Sequence, residues 1–214
     1  TSDRGTPIVA NVDGGNGDDL VIVSASSAKQ IRGGAGDDFV SVHTMGYGSV
    51  SEVDGGDGDD HIYITRSVGI VSDVSGGDGD DTIRIDAGTA RNISGGDGND
   101  RMYVGGANVE AIAGGRGDDE IYIGTNNANV ATLVFNEGDG HDTVHAYGQV
   151  RIERYHADGT AQTLDLASVT VTRGGRGEFI IDFGNGTDSL TIQRCDAGLA
   201  DSTLTITDDG ALLI

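Results

Sequence analysis

Six hexads of glycine and aspartate carry the chemistry of this chain. They run 14–19 (GGNGDD), 33–38 (GGAGDD), 55–60 and 76–81 (both GGDGDD), 95–100 (GGDGND) and 114–119 (GGRGDD). Carboxylates are hard oxygen donors, and glycine lets backbone carbonyls turn toward an ion without side-chain obstruction. A single hexad would be no more than a sharp acidic turn. Here the steps between starts are 19, 22, 21, 19 and 19 residues, and a period near twenty marks a solenoid. Strands stacked about 4.8 Å apart would set the sixth-position aspartates of successive coils one strand spacing from each other. An ion that binds oxygen at about 2.3–2.6 Å reaches both, which is calcium's range. Magnesium demands a tighter octahedron, and zinc prefers nitrogen or sulfur.

The elements that position the hexads are legible as columns. Two residues past each hexad stand Val21, Val40, Ile62, Ile83, Met102 and Ile121; two further stand Val23, Val42, Ile64, Ile85, Val104 and Ile123. A separation of two on a strand points both columns to one face. Two residues before each hexad stand Val12, Ile31, Val53, Val74, Ile93 and Ile112, and five before stand Val9, Ala28, Val50, Val71, Ala90 and Val109. That pair is three apart, so a bulge or corner is predicted between them. Each coil therefore reads as two short strands that bury their apolar residues only when stacked in parallel. No segment has useful helical periodicity, and the inward columns are rich in β-branched residues.

Two degenerate hexads extend the series. EGDGHD (137–142) starts 23 residues after the sixth, with Phe135 two residues before it and Val144 in the following column. FGNGTD (183–188) follows with Ile181 before it and Leu190 and Ile192 after it. The chain thus divides into a calcium-binding β-solenoid over 1–145 and a capping or flanking β region over 146–214. Hairpin strands are predicted at Ser168–Thr172, Phe179–Phe183 and Leu190–Gln193, covering an end that would otherwise be an open sheet edge. The fold class is all-β: a parallel β-roll or β-helix solenoid, with calcium loops on one edge and C-terminal antiparallel strands as a cap.

The repeats resemble the RTX (repeats-in-toxin) hemolysin-type calcium-binding family, whose repeat is GGxGxDxUx. All specified positions match in six consecutive copies. The resemblance implies calcium between stacked loops, held by sixth-position carboxylates and by carbonyls of positions 1 to 4. Carried over by position, the carboxylates are Asp19, Asp38, Asp60, Asp81, Asp100 and Asp119, with Asp142 a seventh. The carbonyls belong to Gly14, Gly15, Asn16 and Gly17; Gly33, Gly34, Ala35 and Gly36; and Gly55, Gly56, Asp57 and Gly58. The later hexads add Gly76, Gly77, Asp78 and Gly79; Gly95, Gly96, Asp97 and Gly98; and Gly114, Gly115, Arg116 and Gly117. Ions between the loops would number about five to six. The chain departs from many family members in having loops on one edge alone; the other edge holds variable links such as Ser24–Lys29, Met45–Ser49 and Gly105–Asn108. The segments 135–144 and 179–192 resemble the family's C-terminal flank. The remaining acids of the hexads, among them Asp18, Asp37, Asp59, Asp80 and Asp118, read as solvated or supporting groups rather than direct ligands.

Charge sharpens the expectation. Net charge is −22 and 29 of the 35 acids are aspartate, so stacking without metal sets like charges a strand apart. At an effective dielectric of about 20 each neighbouring pair costs about 3 kcal/mol before screening. Metal binding and folding are therefore expected to be one event. Sites this weak need extracellular calcium levels, and the lone Cys195 offers no internal disulfide. The absence of a signal peptide, membrane span or initiator methionine reads as a piece of a longer chain. Similarity to the RTX family implies a secreted or cell-surface bacterial protein exported by type I secretion machinery, with toxins and adhesins among its relatives. The family's export signal is C-terminal; Ala211–Ile214 matches it weakly. Acidity argues against nucleic acid as a partner.

No H-E-x-x-H or G-x-S-x-G is present, which disfavours a zinc protease or serine lipase. His141 and His145 read as a solvated pair, and Cys195 as an incidental thiol. The outward column three past each hexad holds Tyr63, Tyr103 and Tyr122; cross-strand aromatic pairing is favoured there over glycan binding. Ice binding is rejected because the third-position row contains no threonine. The reading is a non-catalytic calcium-folded module that supports export, folding and adhesion, with a glycan or cell-surface partner. The alternative is a polysaccharide-binding or polysaccharide-modifying (lyase- or epimerase-like) β-helix domain.

Overall fold

A computed structural model describes residues 7–125, 129–156, 160, 162, 169–175, 177–195, 205–206 and 212–213. The strands in order are β1 (Ile8–Asn16), β2 (Leu20–Ala25), β3 (Ser27–Ala35), β4 (Phe39–Thr44), β5 (Val50–Asp57), β6 (His61–Asp78), β7 (Thr82–Asp97) and β8 (Arg101–Arg116). Then follow β9 (Glu120–Thr125), β10 (Val130–Asn136), β11 (His141–Tyr147), β12 (Gln149–Tyr155), β13 (Thr170–Arg173), β14 (Glu178–Asp182), β15 (Ser189–Arg194), β16 (Thr205–Ile206) and β17 (Leu212–Leu213). No helix occurs among the described residues. The result is a mostly parallel β-solenoid of about eight turns, with antiparallel strands at its C-terminal end.

Like residues stack on like. Val21, Val40, Ile62, Ile83, Met102, Ile121 and Val144 lie in one parallel register. Val12, Ile31, Val53, Val74, Ile93 and Ile112 form the facing column. From the second coil onward both columns are almost fully buried and build one narrow Val/Ile core. A coil alone has no partner for its inward face, so the stack supplies the core.

The corner predicted from the three-residue spacing is a left-handed residue. Asn11, Gln30, Glu52, Asp73, Asn92 and Ala111, each three residues before a hexad, have φ between 52° and 57°. Strand pairing skips this residue in every coil, for example from Ala10↔Lys29 to Val12↔Ile31. The bend turns the two inward columns onto one core despite their odd separation.

Three details differ from the sequence expectation. The strands of the central coils are long, because β6 to β8 stay paired around the edge opposite the hexads, with register shifts only near Ser67. Leu133, not Phe135, continues the column of Ile112, so the chain slips by two residues before the seventh loop. Leu190 pairs with Asp142 and Ile192 with Val144, which offsets the 183–188 hexad by two. Parallel stacking runs on past residue 145: β12 pairs with β10, and β15 with β11. β13, β14 and β15 then form the antiparallel cap. Ser168, Ala211 and Ile214 lie outside the described residues, while Leu212–Leu213 pairs antiparallel with β12.

Candidate metal centre

Within each loop the glycines answer two separate constraints. In the fourth hexad Gly77 and Gly79 have φ of 130° and 125°, a region other residues rarely adopt. Gly76 is different: a Cβ there would overlap Asp81 Oδ2 and the carbonyl oxygen of Gly95 in the next coil. The same two oxygens, from the loop's own aspartate and the next coil's first glycine, crowd Gly14, Gly33, Gly55 and Gly95. At Gly114 the nearest atoms all belong to Asp119.

The sixth-position aspartates form a ladder. The backbone N–H of Asp19 donates to Asp38 Oδ1, Asp38 to Asp60, Asp60 to Asp81, Asp81 to Asp100, Asp100 to Asp119 and Asp119 to Asp142, at 2.7–3.1 Å. From Asp38 to Asp142 one carboxylate oxygen is thereby spent on the backbone. Oδ2 of Asp19, Asp38, Asp60, Asp81, Asp100 and Asp119 is buried without a hydrogen-bond partner. None of these six forms an ion pair with a described residue. Buried polar atoms are satisfied as a rule, and six identical orphans in register form a row that a cation would satisfy. Asp142 joins the ladder and is buried, but its second oxygen is not among the orphans.

Burial and the neighbouring aspartates raise these carboxyls. Desolvation pushes Asp60 and Asp100 up to about 6, Asp81 and Asp119 up to about 7, and Asp142 up to about 9. A folded-state pKa above the unfolded value near 3.8 means that the metal-free fold binds more protons than the unfolded chain. Its stability is then fullest below about pH 4 and is lost as pH rises through about 6 to 9. Metal bound to the same carboxylates reverses the sign, since protons compete with it. Metal-stripped protein is expected to hold more β circular-dichroism signal at pH 5 than at pH 8, and calcium-saturated protein to melt higher at pH 8 than at pH 5. Parallel trends in both forms would contradict the assignment of these carboxylates.

The structure places the remaining predicted residues as follows. Second- and fourth-position glycines make the two left-handed bends of every full loop. Third-position Asn16, Ala35, Asp57, Asp78, Asp97 and Arg116 stack in register on the surface, where Arg116 pairs with Asp97 at 3.1 Å. From the second coil onward their carbonyls accept the fourth-position glycine N–H of the preceding coil at 2.6–2.8 Å, for example Asp78 from Gly58. The fifth-position acids have a role that sequence reasoning missed. Asp37, Asp59, Asp80, Asn99, Asp118 and His141 donate their N–H groups to the preceding coil's fifth-position side chain at 2.7–3.1 Å. This second ladder runs opposite in direction to the first, and its signal was the recurrence of Asp or Asn at that position. Among the described residues no three His, Cys, Asp or Glu side chains form a conventional metal cluster. What each of the first five loops offers a cation is instead a carboxylate oxygen beside the next coil's first-position carbonyl, as Asp81 Oδ2 and the Gly95 oxygen are at Gly76.

Elsewhere, Tyr103, Tyr122 and His145 stack with centroids 4.6 and 4.3 Å apart and planes within 11°. Phe39 stacks on Tyr63 at 5.3 Å. This is cross-strand pairing: the rings cover each other's faces, leaving edges for a ligand. Tyr122 donates its hydroxyl to Glu120 at 2.6 Å, and that bond pushes its pKa up to about 12. His141 bonds Ser189 at 2.9 Å and His145 faces Glu120, so the two histidines do not converge.

The fold and the ladder define a class: a parallel β-solenoid whose coils meet across rows of buried, half-satisfied carboxylates. Compared with known proteins, the chain matches no family model and no curated protein.

Proposed function

We propose that the chain is an RTX-type calcium-binding module of a secreted bacterial protein, folding on calcium outside the cell after type I export and serving adhesion or display. The observation that carries this reading is the row of six buried Oδ2 atoms without partners, each beside a glycine that cannot accept a side chain. Asp19, Asp38, Asp60, Asp81, Asp100 and Asp119 would hold the ions together with the first-position carbonyls. Calcium bound there would supply the positive charge that lets stacked carboxylates remain ionised. A chain of net charge −22 repels nucleic acid, and no helix among the described residues is long and apolar enough to cross a membrane. The polysaccharide reading draws no support from the tyrosine column, whose rings stack on Phe39, on each other at Tyr103 and Tyr122, and on His145.

Ion selectivity tests the proposal. Calcium tolerates irregular shells of six to eight oxygens, whereas magnesium needs a compact octahedron. Added at equal millimolar concentration to stripped protein, calcium is expected to raise the melting midpoint strongly and magnesium weakly. Equal shifts would reduce the site to generic charge screening.

A further inference from the structure

The carboxylate ladder changes character at its C-terminal end. The seventh hexad lacks the first-position glycine, with Glu137 in its place, and follows a two-residue slip of the strand before it. Phe135 pairs with Arg154 across β10 and β12, and its ring stacks on Phe183 at 4.9 Å. The Arg154 guanidinium lies 4.1 Å over Phe183 and 5.8 Å from the Phe135 ring centre. Its Nη2 donates to Asp188 Oδ2 at 2.8 Å, with both side chains almost wholly buried.

Asp188 belongs to the degenerate hexad 183–188, yet its surroundings invert those of the other aspartates. Donors converge on Oδ2: the N–H of Gly138 at 3.0 Å, the amide of Asn185 at 2.5 Å and Arg154. Asp19, Asp38, Asp60, Asp81, Asp100 and Asp119 instead have no ion-pair partner among the described residues. A buried guanidinium is costly unless it answers a buried charge, and aromatic faces hold it in place. Asp188 Oδ1 is buried without a hydrogen-bond partner, as Oδ2 of the six hexad aspartates is, but here the carboxylate charge is met by Arg154.

We infer that Arg154 is the resident cation of the last layer: its guanidinium neutralises Asp188 as a metal ion would neutralise the hexad aspartates between the upper coils, ending the ion ladder and closing the solenoid without metal. This rests on the calcium reading of the upper loops. The consequence is a cap whose charge balance is independent of calcium and a stoichiometry limited to the layers above it.

Counting bound calcium by native mass spectrometry tests the inference. Asp188→Asn is expected to bind as many ions as the wild type, because no ion sits on Asp188. Arg154→Met is expected to bind one ion more, since Asp188 then lies buried near Asp139 without a cation; Arg154→Lys should keep the wild-type count. Loss of one ion in Asp188→Asn would overturn the inference, and so would an Arg154→Met chain that folds without gaining one. Asp188→Asn carries the test by itself should Arg154→Met not fold. A wild-type chain without any bound calcium would overturn the function proposed above as well, which separates the two failures.

Discussion

Stripped of divalent cations at pH 7.5, the chain is expected to lose most of its β circular-dichroism signal and to recover it in millimolar calcium. The reason is the uncompensated ladder. A buried acceptor without a partner costs about 1–3 kcal/mol, and more when it is charged. Six such oxygens rival the whole of about 5–15 kcal/mol by which a typical domain is stable. Glycine adds to the deficit: the 37 glycines lose more backbone freedom on folding than any other residue type. Against this stands a core only two narrow columns wide on each sheet. Lowering pH to 5 without metal should restore part of the signal, because protonation discharges the same carboxylates. A β-rich spectrum at pH 7.5 that chelator leaves unchanged would refute the coupling of metal to folding.

The second large effect concerns one methyl group. Gly76→Ala is expected to destabilise the calcium-loaded fold by about 3 kcal/mol or more, because overpacking of a rigid site has no room to relax. The new Cβ would collide with Asp81 Oδ2 and with the Gly95 carbonyl oxygen, both of which the proposed ion would need. Gly124→Ala is the matched control. Its Cβ would find no atom closer than Gly105 Cα at 4.0 Å, and Gly124 has no left-handed φ. Relief of backbone entropy there should stabilise by about 0.5–1 kcal/mol. Calcium-saturated denaturant titrations of the two variants should therefore move in opposite directions. Equal losses would show that the first-position glycines are merely strand residues.

Much of this was legible in one dimension because a solenoid repeats its contacts at a fixed sequence interval. The inward columns, the one-sided loops and even the bend before each hexad follow from spacings of two, three and about twenty residues. Gly76 and its counterparts could be placed, but not explained, since their need for a bare Cα arises between coils. The two-residue slip at the seventh loop was hidden because Phe135 satisfies the apolar pattern as well as Leu133 does. Only the pairing of Leu133 with Ile112 separates them. Arg154 and Asp188 are 34 residues apart and share no periodic position, so no pattern joins them. The second ladder, at the fifth position, was visible as composition, but its hydrogen bonds depend on how the loops stack.

Calorimetric titration of the stripped chain with calcium is the most direct test of the central claim that the hexads bind ions between coils. Five gaps have an orphaned carboxylate oxygen facing the next coil's first-position carbonyl, from Asp19 with Gly33 to Asp100 with Gly114, and Asp119 offers a sixth oxygen alone. The account predicts about five to six ions per chain, taken up together with the gain of β structure. A stoichiometry of about one or two, or binding that leaves the fold unchanged, would contradict it.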